Sequence, residues 1–377
     1  MKRLGLTALL LCGTFIFTAG EAAAADTLKI GMVAPLTGPA AETGHFQING
    51  AKLAADEINK AGGVLGKQIE LVIEDDQTTN PGAVLAFSKL AGDSTIPAFI
   101  GSIRSTQVHA MAPDVVKLGK PMMIGGTDPK LTHIGNAWLF RFRPNDTYSA
   151  KVIADFGTNT LKKKKWALIH STDAFGTAGK NALAEELKAL GAETVITQGY
   201  TNNSQDFTPV VLAIKRAGAD ILSSYVTFET DQGILAKQMR QLGVELPWIG
   251  STTITTTSAI RLAGSALNGT YGVTDFAEKS SPTAEAFAKK YKETYNATAD
   301  VFSAWTFDAM TVLARAITDA RSTDPEKIRS AILAIRGFPG VEGTYDFDNK
   351  GDGLHGYNIM HNDNGTWVFV RHVEFKD

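Results

Sequence analysis

The stretch IGSIRSTQVHAMAPDVVKLGKPMMIGGTDPKLT, Ile100–Thr132, decides how the rest of this chain reads. A short apolar run, Ala98–Ile103, ends in a polar cluster of Ser102, Arg104, Ser105, Thr106 and Gln107. A helix-like segment follows, and a second apolar run, Met122–Ile124, ends in Gly125, Gly126, Thr127 and Asp128. Two neighbouring strands would thus deliver small, hydroxyl-bearing loops to one edge of a sheet. In an open α/β sheet, ligands bind outside the carboxyl ends of the strands. Ser105 fits the N-cap of the intervening helix, whose free N–H groups and positive dipole end favour a bound anion. Small residues let a ligand approach the backbone, and hydroxyls donate hydrogen bonds without bulk. The pattern is that of a carboxylate-binding shelf. Gly, Ser and Thr after a strand are also ordinary turn and capping residues, so the shelf needs support from the rest of the chain.

Strands and helices alternate on both sides of that stretch. Leu28–Val33 reads as a buried strand, and Phe46–Lys60 carries Ile48, Ala51, Ala55 and Ile58 at helical spacing before Gly62 and Gly63 stop it. Ile69–Ile73 is a strand closed by Glu74, Asp75 and Asp76, and a helix over Gly82–Ala91 leads into the Ala98 strand. The rhythm breaks at Arg141–Thr147 (RFRPNDT) and then restarts. Strands follow at Trp166–His170, Thr194–Tyr200, Ile221–Val226, Trp248–Ser251 and Tyr271–Phe276, with helices between them at Gly176–Leu190, Phe207–Ile214 and Leu235–Leu242. Such alternation implies crossover helices and parallel sheets. Two passages of about 120 residues each imply two domains. After Phe276 come two or three helices, one with Ala309, Val312, Leu313 and Ala316 on a face. Late strands at Gly343–Phe347 and Tyr357–Val370 close the chain, the latter folded at Asp363-Asn364-Gly365, a strong hairpin signal. Periodicity leaves open which domain takes the late helices.

Composition narrows the function. The opening MKR, the apolar run Leu4–Phe17 and Ala23-Ala24-Ala25 before Asp26 have the order of a cleavable secretory signal peptide, residues 1–25. The one cysteine, Cys12, falls inside that apolar run, so the exported chain would hold no disulfide. Without the leader there are 35 basic against 38 acidic residues, which argues against nucleic acid as a partner. The basic block Lys162–Lys165 reads as a solvated surface before a strand. No G-x-S-x-G elbow occurs, and GGVLGKQ (Gly62–Gln68) lacks the first glycine and the Ser/Thr of a phosphate loop. The seven histidines show no metal-ligand spacing. Neither an enzyme nor a metal or cofactor protein is expected.

Several motifs occur in one order: Ile30-Gly31 through Pro35-Leu36-Thr37-Gly38-Pro39, then GHFQINGAKLAADEINKAGGVLGK (Gly44–Lys67), then Glu74-Asp75-Asp76. IGSIRSTQ (Ile100–Gln107), GGTDPKLT (Gly125–Thr132), RFRPND (Arg141–Asp146) and HSTDAFGTAG (His170–Gly179) follow. Each is weak singly, but their order and spacing are specific. Over nearly the whole exported length the chain resembles the solute-binding proteins of the leucine/isoleucine/valine type, which serve ABC importers. The resemblance implies an α/β fold of two doubly wound lobes with parallel sheets joined by three hinge strands. It implies lobe 1 from 26–144 plus 277–346, and lobe 2 from 145–276 plus 347–377. The crossings would fall near Arg143–Thr147, Asp275–Ala277 and Asp346–Asn349. It also implies a periplasmic monomer that passes a small carboxylate or amino acid to membrane permease subunits, with hinge closure around the ligand.

By the same resemblance, the ligand's carboxylate would meet Ser102, Ser105, Gly125, Gly126 and Thr127, with Thr43 facing the cleft. The second lobe's wall would be Phe175 and Thr227 or Phe228. The family's acidic partner for an ammonium falls on Thr252, a departure. Either Glu229 or Asp231 supplies that charge from a neighbouring place, or the ligand is a non-amino (aromatic or keto) carboxylate. Arg104 bears on the second alternative, because a guanidinium can grip a carboxylate with two hydrogen bonds. Its bland reading is a solvated loop arginine or one salt-bridged to a protein acid, and that of Glu229 and Asp231 is helix capping. Trp138 and Trp305 read as packing residues. A ligand-sensing or chemoreceptor subunit would use the same fold, and a chain ending at Asp377 without a signalling segment favours import.

Overall fold

The computed structural model describes residues 26–375, so the expected leader and Cys12 lie outside the described residues. The first passage runs β1 (Thr27–Ala34), α1 (Ala41–Lys60), β2 (Gln68–Asp75), α2 (Asn80–Ala91), β3 (Phe99–Ile100), α3 (Ser105–Leu118), β4 (Met122–Ile124), α4 (Lys130–His133) and β5 (Leu139–Arg141). The strands form a five-stranded sheet in the order β2-β1-β3-β4-β5, parallel throughout. One face packs α2 and α3 through Phe87, Leu90, Val108 and Met111.

The second passage runs α5 (Asp146–Asp155), β6 (Lys165–Ser171), α6 (Ala174–Ala189), β7 (Glu193–Tyr200), α7 (Thr208–Arg216), β8 (Ile221–Tyr225), α8 (Glu229–Gln241), β9 (Trp248–Gly250), α9 (Thr257–Ala263) and β10 (Tyr271–Thr274). The chain then gives α10 (Pro282–Tyr295), α11 (Val301–Ala320), α12 (Pro325–Leu333), β11 (Phe338–Pro339), β12 (Thr344–Tyr345), β13 (Gly356–Asp363) and β14 (Thr366–Glu374). The second sheet has seven strands, β14-β13-β10-β9-β8-β6-β7, parallel except for the terminal hairpin β13–β14. That hairpin turns at Asn364 and Gly365, whose φ values of 51° and 90° are the left-handed pair an Asn-Gly turn supplies.

Helices α10–α12 share one core with α1 and the first sheet, through Phe287, Trp305, Leu313 and Ile328. Periodicity had left their place open. One strand differs from expectation. Gly343–Phe347 joins neither large sheet, and only Thr344–Tyr345 pairs, with Phe338–Pro339. The reason is aromatic packing. Tyr345 and Phe347 pack tilted and edge-on against Phe142 at 5.3 and 5.4 Å between ring centroids, so this segment fills the junction instead of extending a sheet.

Three segments connect the two sheets: Phe142–Asn145, Asp275–Ser281 and Asp346–His355. Two buried ion pairs tie them together. Arg143 in the first donates to both carboxylate oxygens of Asp275 in the second, at 2.6 and 3.0 Å. Arg141 donates to Asp352 in the third, which also accepts from Thr132 and Asn145. Burial pushes the Asp352 carboxyl up, but Arg141's charge and these donors hold it below its ordinary value.

Candidate functional site

An open, doubly wound parallel sheet reverses its strand order at one point, and the crevice opens there. Here the reversals lie at β1/β3 in the first sheet and β6/β8 in the second. Segments after β2, β3, β4, β6, β7, β8 and β9 line one cavity of about 330 Å³, within the range that small-molecule sites occupy.

The first-sheet wall is built on the start of α3. Ser105 was expected to cap this helix, but Arg104 holds the N-cap position and Ser105 is the first helical residue. The Ser105 hydroxyl instead reaches across to the β4 loop, accepting the amides of Thr127 and Asp128 at 3.2 and 3.1 Å. Gly125 and Gly126 make that approach possible. A Cβ on Gly126 would lie 3.2 Å from Ser105 Cα, and one on Gly125 3.2 Å from Ile103 Cα. Thr127 Oγ1 donates to Asp146 Oδ2 at 2.9 Å, and Ser102 Oγ to Gln107 Oε1 at 2.5 Å. The first-turn amides of α3 keep no intrahelical partner.

The second-sheet wall is built on the starts of α6 and α8. Asp173 caps α6 through Gly176 N and accepts from Thr227 Oγ1 at 2.6 Å and Asn202 Nδ2 at 2.7 Å, so its carboxylate is fully engaged. Phe175 beside it packs edge-on against Tyr225. Phe228 is the N-cap residue of α8 and Glu229 its first helical residue. Burial raises the Glu229 carboxyl's pKa, opposed chiefly by the charge of Arg104. Glu229 Oε1 is buried without a partner. Thr252 lines the same wall.

The two walls meet. Arg104 lies over the Phe228 ring at 4.2 Å, Thr43 Oγ1 donates to Glu229 Oε2 at 3.5 Å, and Ala174 N donates to Thr106 Oγ1 at 3.4 Å. Of the expected residues, Arg104, Ser105, Thr127, Phe175, Thr227, Phe228, Glu229 and Thr252 line the cavity together. Thr43, Ser102, Gly125 and Gly126 are not among the lining residues. Asp231 does not line the cavity; its Oδ2 accepts the amide of Asn203, which does, at 3.0 Å.

A family profile described as periplasmic binding protein matches residues 27–366. The chain belongs to the periplasmic binding protein family. Among curated relatives it is 29% identical to the leucine-, isoleucine-, valine-, threonine- and alanine-binding protein of Pseudomonas aeruginosa, over 87% of this chain and 88% of that one. Among solved structures it matches the Streptococcus pneumoniae branched-chain amino acid transporter substrate-binding protein in complex with isoleucine. That match has a TM-score of 0.86 and 25% identity and covers 93% of this chain and 100% of the other. It shares the fold of an R. palustris ABC transporter solute-binding protein in complex with benzoate, at TM-score 0.84 and 19% identity, covering 92% and 96%.

In this periplasmic binding protein, sequence reasoning missed Asn80, Asp173, Asn202, Asn203 and Phe302, all of which line the cavity. Asp173 stood inside a quoted motif, two residues before Phe175. Asn202 and Asn203 follow β7 directly, so the strand-end rule alone would have found them. Phe302 arrives from α11, and no local pattern announces it.

Proposed function

We propose that this protein is the exported substrate-binding component of an ABC importer, holding one amino acid or related small carboxylate in the cavity between its two sheets. The observation that carries the reading is the pair of opposed, unpartnered charges at the cavity. Arg104 stands on the first-sheet wall and Glu229 on the second, and neither has an ion partner within 4 Å among the described residues. A zwitterion brings the complement of each. Thr252 stands where relatives are expected to carry an acid, and Glu229 supplies a carboxylate from the start of α8. The amino acids named for the P. aeruginosa and S. pneumoniae proteins support this ligand class.

The role needs binding and closure and no reaction. Ligand settles on the first wall, the second closes over it, and the excluded water strengthens each polar contact. A monomer then presents its closed face to permease subunits in the periplasm. A non-amino carboxylate is the second reading, favoured by Thr252 and by Arg104. A thermal-shift screen on protein stripped of ligand by unfolding and refolding decides between them. Ligand at about a thousandfold over its Kd adds about 4 kcal/mol. Response to amino acids supports the zwitterion, and response to aromatic or keto acids alone transfers the role to the second reading. Silence to every acid defeats both.

A further inference from the structure

The hydroxyl shelf is closed on itself. Ser102 is committed to Gln107 and Thr127 to Asp146, and the Thr127 and Asp128 amides are taken by Ser105 Oγ. The Gly125 carbonyl accepts from Arg143 at 3.3 Å. What this wall keeps for an anion is the Arg104 guanidinium, the Ser105 hydroxyl hydrogen and the first-turn amides of α3. Of these only Arg104 carries a full charge. Its guanidinium forms no hydrogen bond or ion pair among the described residues, and its Nε is buried without a partner. Its face is covered by Phe228.

On the reading that the ligand is a carboxylate, we infer that Arg104 is its anchor and the specificity-determining residue of the site, gripping the carboxylate by the edge of a guanidinium whose face Phe228 covers. The geometry makes the two contacts compatible. A ring on the guanidinium face satisfies the cation without using its N–H groups, which point outward in the guanidinium plane. That planar fork fits a carboxylate with two parallel hydrogen bonds, which an ammonium cannot match. Arg104 belongs to the first wall and Phe228 to the second, so closure completes the cation's surroundings. A cation–π contact strengthens as water leaves. Carboxylate capture and closure therefore reinforce one another. Glu229, one residue beyond Phe228, is among the described residues the only cavity-lining acid with an unpartnered oxygen, and it disfavours a second carboxylate placed beside it.

The test is titration calorimetry of refolded wild type, Arg104→Gln, Arg104→Lys and Ser102→Ala with two acid and amide pairs: L-leucine with L-leucinamide, and benzoate with benzamide. Wild type is expected to bind at least one acid and to bind its amide roughly 10- to 100-fold more weakly. Arg104→Gln loses a similar factor for the acid, Arg104→Lys recovers part of it, and Ser102→Ala loses several-fold less than Arg104→Gln. Circular dichroism and thermal unfolding confirm that the variants fold. Wild-type affinity in Arg104→Gln, or a larger loss in Ser102→Ala, overturns the anchor and leaves the import reading standing. Wild type that binds neither acid defeats the carboxylate reading and the anchor with it.

Discussion

Buried charge is handled in opposite ways at the junction between the sheets and in the cavity beside it. At the junction both arginines are matched. Arg141 and Asp352 are buried together, as are Arg143 and Asp275, each pair with two or more hydrogen bonds. Asp308 at the junction has no arginine partner: burial raises its carboxyl to about 7, against the pull of the Val341 and Glu342 amides it accepts. In the cavity, Arg104 and Glu229 stand near one another without forming a pair. Matched charges fix geometry, and unmatched ones leave room for a guest. The difference teaches which side chains to read as scaffold and which as site, before any ligand is known.

The widest contrast in stability should come from removing one acid in each place. Asp352→Ala strands Arg141 in a fully buried position and should cost about 3–5 kcal/mol. Glu229→Gln strands no hydrogen-bonded partner, because Thr43 donates to it only at 3.5 Å, and should change stability by less than about 1 kcal/mol. Urea unfolding monitored by tryptophan fluorescence measures both. Equal losses would erase the distinction between scaffold and site.

Asp146 sharpens the comparison because it lies between the two regions, joined to Thr127 of the shelf and beside Arg143 of the junction. Burial raises its carboxyl to about 8, against the pull of the Thr127 hydroxyl and of both arginines. Its folded pKa thus exceeds the unfolded value near 3.9, so the folded state holds the extra proton. The stability this proton provides is complete below about pH 4 and is lost as pH rises through about 8. Wild-type stability should therefore fall from pH 5 to 8 with a contribution from Asp146 of at most about 1.4 kcal/mol per pH unit. Asp146→Asn should flatten that slope. An unchanged slope would mean that other acids, such as Asp308, carry the titration.

The sheet-and-helix order was legible because buried parallel strands and amphipathic helices leave different periods in the chain. The terminal hairpin was legible from Asn364 and Gly365. The short late strand was not: Tyr345 and Phe347 look like strand residues, yet their partners Phe140 and Phe142 lie some 200 positions away. The same distance problem hid the state of the shelf. Ser102 and Thr127 are hydroxyls at the right strand ends, but their commitment to Gln107 and Asp146 depends on packing that no local pattern records. Arg104 stood in plain view as a loop arginine. Its missing ion partner and the Phe228 ring over its face distinguish it from a solvated one.

The smallest expected effect concerns a third kind of charge, exposed and reaching from an element of one wall to an element of the other. Glu42 on α1 and Arg261 on α9 approach to 2.6 Å, with both side chains more than half exposed. An exposed pair gains little from Coulomb attraction in water and loses side-chain freedom, so such pairs contribute about 0.2–1 kcal/mol. This pair joins the two walls, so its contribution should appear in ligand affinity through closure and leave the unfolding of either sheet unaltered. A double-mutant cycle with Glu42→Gln and Arg261→Gln should give a coupling below about 1 kcal/mol, a factor of at most about five in Kd. That coupling should fade further in 0.5 M salt, where the screening length shrinks below about 8 Å. The Arg104–Phe228 contact, shielded inside the cavity, should keep its effect at the same salt. A salt-resistant coupling of this exposed pair would place the control of closure there, away from the unmatched charges within the cavity.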